Sequence, residues 1–375
     1  MTASSSSIKP LPYVAGLAPY QSGETHARGH SAQGRIFKLS SNESVFGASP
    51  QAIEAGQNWL ARHETHRYPP TDCRDLRAAL AARHKLPKEQ LMVGNGSDEL
   101  ISLLIHAYCG VGDEVVMSRY GFIYYRVVAQ SVGATVIDVD EDESLQASKD
   151  AFVRACSPRT KLMFIANPNN PTGFVWQAGE LEALAAALPE HVLLVVDAAY
   201  AEYATATHPS YQGGSGLVKS GRCVMLRTFS KLYGLSALRV GWGYMPDHVI
   251  ASLSPLRPPF NVNGLAQVMA TASLKDDTFY DKVVQETCHR RDEIIADLRK
   301  MNHVRVYDSG GNFFLVRWAD AETAETMAMT LSQQGLIVRQ LKDYQLDDCL
   351  RVTVGCAESM ALFVAAVRGN SGSHV

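Results

Sequence analysis

Three apolar runs in the middle of the chain, at 161–166, 192–196 and 223–226, give way to the polar residues Asn167, Asp197 and Thr228. These positions lie about 30 residues apart, the length of one strand–helix–strand unit. Strands repeated at that interval run parallel, because the crossover returns the chain to the edge it started from. The three polar residues then share one edge of the sheet, outside the carboxyl ends of the strands, where open α/β folds bind ligands.

Short apolar runs at 91–93, 114–117 and 135–139 add strands, and 99–108 and 179–188 carry helical spacing between them. The expected fold is α/β, with a mostly parallel central sheet covered by helices on both faces. A chain of 375 residues has room for a second domain. No internal repeat or low-complexity linker sets one apart, so it must be woven from both chain ends.

Composition narrows the function classes. With 46% apolar residues, 19% charged residues and a net charge of -3, the chain offers no basic field for nucleic acid. No run approaches the roughly 18 apolar residues of a membrane span, and the first residues lack a signal core. Seven scattered cysteines, odd in number and without zinc-like spacing, read as reduced thiols of a cytoplasmic protein. The HETH run at 63–66 departs from the HExxH zinc motif and has no evident third ligand, so no metal is expected.

Chemistry gathers after the third strand, in RTFSKLYGLSALR at 227–239. A loop lysine is ordinarily solvated. Here Phe229, Leu232, Tyr233 and Leu235 surround Lys231 in sequence. A desolvated lysine has a lowered pKa and becomes a nucleophile suited to Schiff-base chemistry. Thr228, Ser230 and Arg239 form a candidate phosphate clamp. Asp197 reads equally well as a helix cap or as the partner of a protonated ring nitrogen, with Tyr200 three residues on. The NPNNPTG turn at 167–173 is explained by its turn residues alone, yet it presents Asn170 at the ligand edge. GNGSDE at 94–99 follows a strand and opens a helix. It exposes the backbone N–H groups around Gly96, Ser97 and Asp98, a ready phosphate site.

In this order and spacing the segments resemble the fold-type-I pyridoxal-5′-phosphate (PLP) aminotransferases, and more closely the histidinol-phosphate aminotransferase branch. The resemblance runs from about residue 20 to 355. KLSSNE at 38–43, GNGSDE, NPNNPTG, DAAY at 197–200, the 228–239 segment and LRVTVG at 350–355 carry it. It implies an arm and part of a small domain at 1–45, a large PLP-binding domain at 46–268 and a small C-terminal domain at 269–375. Lys231 matches the Schiff-base lysine, Asp197 the partner of the pyridine nitrogen, and Asn170 and Tyr200 the ligands of the phenolic oxygen. Gly96, Ser97, Asp98, Thr228, Ser230 and Arg239 match the phosphate site. Phe122, with Tyr120 as the alternative, matches the ring that stacks on the cofactor.

Tyr68 resembles a tyrosine that reaches the phosphate from a neighbouring subunit, which implies a homodimer. Arg351 matches the arginine that grips the substrate's acidic group, and Asn42 lies in the motif beside it. Tyr20 and Arg339 match substrate positions of the histidinol-phosphate branch. Arg339 reads equally as a solvated charge at a strand end. The implied reaction is a ping-pong transamination between L-histidinol phosphate and 2-oxoglutarate, a small-molecule amino donor and a 2-oxo acid acceptor. An aromatic amino acid aminotransferase and a phosphothreonine decarboxylase share these motifs. So does a non-catalytic PLP-binding sensor, although the roughly twenty residues before Tyr20 are too few for a DNA-binding module. Glu43 to Phe46, Cys73 and Ala198 depart from the family pattern, the first two beside the substrate pocket.

Overall fold

The central runs become the core of a seven-stranded sheet. The computed structural model describes residues 8–17, 34–211 and 213–369, and its strands fall into two sheets. In chain order β1 (Phe37–Leu39) belongs to the smaller one. The larger holds β2 (Leu91–Gly94), β3 (Glu114–Ser118), β4 (Thr135–Val139), β5 (Thr160–Ala166), β6 (Leu193–Asp197), β7 (Cys223–Thr228) and β8 (Gly241–Tyr244). The smaller resumes with β9 (Arg305–Val306), β10 (Phe313–Arg317), β11 (Leu336–Leu341) and β12 (Leu346–Thr353).

The larger sheet has the order β2-β8-β7-β6-β5-β3-β4. Its inner strands are buried on both sides, and alternation divides their side chains. Leu162 and Phe164 of β5 join the core under the helix Ser97–Tyr108, whereas Met163 and Ile165 face the helix Ala178–Ala187. Helices therefore cover both faces. That helix Ser97–Tyr108 buries Leu100, Ile101, Leu104 and Ile105 on one side. It carries Asp98 and Glu99 in its first turn, where acidic groups complement the helix dipole.

Parallel pairing extends through β4, β3, β5, β6 and β7. β8 departs from it, running antiparallel to both β7 and β2. Its sequence, GWGY, has no apolar run to announce a strand; its neighbours impose the extended form. Gly241 permits the approach, because a Cβ there would lie 2.3 Å from the backbone nitrogen of Ser97.

The smaller sheet has the order β1-β11-β12-β10-β9 and joins the two ends of the chain. β1 pairs in parallel with β11, Leu39 opposite Val338. Its core packs Phe314, Val316, Leu350 and Val352 against Met327, Leu331 and Phe363 of the helices Ala321–Gln333 and Ala357–Gly369. All seven cysteines are free thiols. Among the described residues, no helix is long and apolar enough to cross a membrane.

Candidate active site

Register gathers the polar strand ends. Ala166 lies opposite Asp197 across β5 and β6, and Asp197 opposite Leu226 across β6 and β7. The reversed strand β8 starts at this edge, with Gly241 opposite both Thr228 and Gly94. Arg239, just before β8, and Gly96, just after β2, are thereby returned to the same place. A cavity of about 250 Å³ opens there, and Arg339 of β11 and Arg351 of β12 close it from the smaller sheet.

Lys231 sits on the turn after β7, with its Nζ donating to the Ser41 carbonyl at 3.2 Å. The same nitrogen lies 5.7 Å from the centroid of the Tyr200 ring. Burial, reinforced by the positive charge of Arg351, lowers its pKa from 10.5 to about 8. Asp197 is 6% exposed and accepts a 2.6 Å hydrogen bond from the Tyr125 hydroxyl on Oδ2. Burial lifts its pKa to about 6 against the pull of that bond. Its Oδ1 is buried without a hydrogen-bond partner. Asp197 closes β6 as a strand residue, and Tyr200 takes the N-cap position of the helix Ala201–Thr207, so the capping alternative fails for Asp197.

The Tyr200 hydroxyl, its pKa raised to about 12 by burial, accepts from Asn42 Nδ2 at 2.9 Å. Asn42 is itself fixed: its N–H donates to Thr353 Oγ1 at 2.9 Å, and its carbonyl accepts from Asn312 Nδ2 at 3.0 Å. Its φ of 54° is one that Asn tolerates better than most residues. Arg351 donates to Asn170 Oδ1 and to the Ser40 carbonyl. The segment 40–42 thus touches the lysine, the arginine and the tyrosine together.

At the other end of the cavity Arg239 donates to Ser230 Oγ at 3.3 Å and to Asp98 Oδ2 at 2.9 Å. Thr228 Oγ1 accepts from the Ser230 N–H at 3.1 Å. Gly96 caps the helix Ser97–Tyr108 with φ +81°, and a Cβ there would meet Arg239 Nη2 at 2.5 Å. Glycine keeps that corner open.

Several expectations resolve. Phe122 lines the cavity, whereas Tyr120 packs beside Leu145 and Leu315. Arg339 is not solvated: it is 9% exposed, faces the cavity and is ion-paired with Asp343. Tyr68 stays outside the cavity of its own chain, 80% exposed and stacked on Phe260 at 4.2 Å. Tyr20 lies outside the described residues. His63 and His66 are both exposed. Tyr125, Asp343, Tyr344 and the Ser40 and Ser41 carbonyls were not singled out from sequence. Tyr125 is three residues beyond Phe122 at the start of a helix, a spacing that could have marked it.

Over residues 35–367 the sequence matches the family described as aminotransferase class I and II. The chain belongs to that family. This aminotransferase is 41% identical over 361 residues to histidinol-phosphate aminotransferase of Jannaschia sp. (strain CCS1), covering 96% of this chain and 97% of that protein. It is 42% identical over 352 residues to the enzyme of the same name from Cereibacter sphaeroides (strain ATCC 17029 / ATH 2.4.9), with 94% of each covered. The crystal structure of histidinol-phosphate aminotransferase from Sinorhizobium meliloti in complex with pyridoxal-5′-phosphate superposes with a TM-score of 0.87. Identity there is 25%, covering 98% of this chain and 100% of that one.

Aminotransferases of this family use PLP, and the residues present fit it. Asp197 Oδ1 is an unsatisfied buried acceptor of the kind a protonated ring nitrogen needs. The open corner at Gly96, the helix N-terminus at Ser97 and the Arg239 guanidinium suit a phosphate. Lys231 offers an amine of lowered pKa in the same cavity.

Proposed function

We propose that this aminotransferase exchanges the amino group of L-histidinol phosphate with 2-oxoglutarate, giving imidazole acetol phosphate and L-glutamate, a step of histidine biosynthesis in the cytoplasm. The observation that carries this is the pair of buried arginines, Arg339 and Arg351, on the cavity wall that faces Lys231. Two guanidinium forks can clamp a phosphate monoester, and one suffices for a carboxylate.

PLP, when bound, supplies an aldehyde carbon that carries the amino group and a ring that withdraws electrons from the reacting centre. Lys231 would hold it covalently, Asp197 would oppose the ring-nitrogen charge, and Asn170 and Tyr200 would take the phenolic oxygen. Arg239, Ser230, Thr228 and the N–H groups after Gly96 would hold the phosphate, with Phe122 against the ring. With its amine free, Lys231 would take the proton from the substrate's Cα as general base and give it back as general acid. A pKa of about 8 leaves it able to do both near neutral pH. Arg351, held by Asn170 and Ser40, orients the substrate's acidic end, and the Ser41 carbonyl accepts from the lysine amine.

The exposed Tyr68–Phe260 stack supports a homodimer in which Tyr68 enters the neighbouring site. Titrating the holoenzyme with L-histidinol phosphate, L-phenylalanine and L-glutamate, and following the cofactor's absorbance, tests the substrate. Complete conversion by histidinol phosphate and glutamate, with little by phenylalanine, is the expected outcome. Phenylalanine reacting best would overturn it.

A further inference from the structure

Asp343 acts on the substrate pocket without lining it. Arg339 and Arg351 are direct partners across the β11–β12 ladder. Such pairs hold their Cβ atoms roughly 4.5–5.5 Å apart, and like charges so placed repel. Both side chains line the cavity, and both are more than nine-tenths buried. Just past the end of β11, in the turn Lys342–Tyr344, the Asp343 carboxylate accepts from Arg339 Nη2. That turn is anchored: the Tyr344 hydroxyl accepts from the Ile123 N–H at 3.5 Å, beside Phe122, and the Tyr344 ring is itself buried. The carboxylate is thus held against Arg339 by the fold.

We propose that Asp343 is a specificity-determining positioning residue that balances the site between a dianionic and a monoanionic substrate. This rests on the function proposed above. A ping-pong enzyme must bind and release both partners in one pocket. A phosphate monoester carries close to two negative charges near neutral pH, and a side-chain carboxylate carries one. Two uncompensated arginines would favour the dianion disproportionately, because Coulomb attraction scales with ligand charge. By offsetting the positive charge of Arg339, Asp343 narrows that difference and holds the side chain in place on the cavity wall.

Asp343→Asn keeps an acceptor for Arg339 and removes the charge. The holoenzyme is assayed for inhibition by propyl phosphate and by butyrate, each against glutamate. We expect the variant to bind propyl phosphate about tenfold tighter and butyrate about threefold tighter, since doubling the ligand charge squares the gain. Asp343→Glu should return the ratio of the two constants to the wild-type value. Equal shifts for both ligands, or weaker binding of propyl phosphate by Asp343→Asn, would make Asp343 a structural residue and overturn the proposal. Failure of propyl phosphate to inhibit the wild-type enzyme would overturn the proposed function, and this inference with it.

Discussion

Lys231 is the group whose chemistry depends most on its surroundings, and pH is the direct way to perturb it. Its pKa falls from 10.5 to about 8, because burial disfavours the charged form. Near neutral pH a sizeable share of the amine is neutral, against about one part in a thousand for an ordinary lysine. The reactive fraction is therefore larger by about two orders of magnitude. Only the neutral amine attacks, so the rate of covalent PLP uptake by apoenzyme should rise with pH through about 8 and then level off. Stopped-flow absorbance of the lysine-bound cofactor measures it. Burial is the larger cause and Arg351 the second, so Arg351→Gln should move the midpoint upward while leaving it below 10.5. A wild-type midpoint near 10.5, or an unmoved midpoint in Arg351→Gln, would refute the reasoning.

Four further outcomes are expected. Borohydride reduction of the holoenzyme should fix PLP on the peptide containing Lys231; mass spectrometry finding it on another lysine would remove Lys231 from its role. Asp197→Asn should fold normally yet lose roughly a hundred- to a thousandfold in turnover, as other positioned electrostatic partners do, and near-normal steady-state rates would contradict this. Arg339→Gln should lower kcat/KM for histidinol phosphate by about one to two decades more than for glutamate, the worth of about 1.5–3 kcal/mol for a charge-assisted bond. Equal losses would show that Arg339 only supports the fold. Tyr68→Ala should weaken PLP retention in equilibrium dialysis while the melting temperature of the apoenzyme barely changes; unaltered retention would place Tyr68 outside the partner's site.

Much of this was legible because strand ends obey simple geometry. Apolar runs of four to six residues at a fixed interval read as parallel strands, and that puts Asn167, Asp197 and Thr228 at one edge. Lys231 was legible from its apolar neighbours, which desolvate it. Other features depend on partners far away in sequence. GWGY of β8 becomes a strand only because β2 and β7 flank it. Whether Arg339 was solvated or buried turned on the β11–β12 pairing and on Asp343, neither marked by local pattern. Tyr125 follows Phe122 at helical spacing, but its role rests on the Asp197 oxygen that it meets, 72 residues away.

The segment 40–42 has a consequence for how the enzyme is made. Ser40 bonds to Arg351, and Asn42 to Thr353, each across 311 residues. At roughly 5–20 residues per second, a ribosome needs about 15–60 s to deliver those partners after the segment itself has been synthesised. The larger sheet, spanning residues 91–244, can pair while synthesis continues, but β1 has no strand to join until β11 emerges. Completion of the substrate side of the cavity, which needs Arg339 and Arg351, is therefore a late event in the life of the nascent chain. Until then, the apolar face of β1 and the bare mouth of the cavity are what chaperones would encounter.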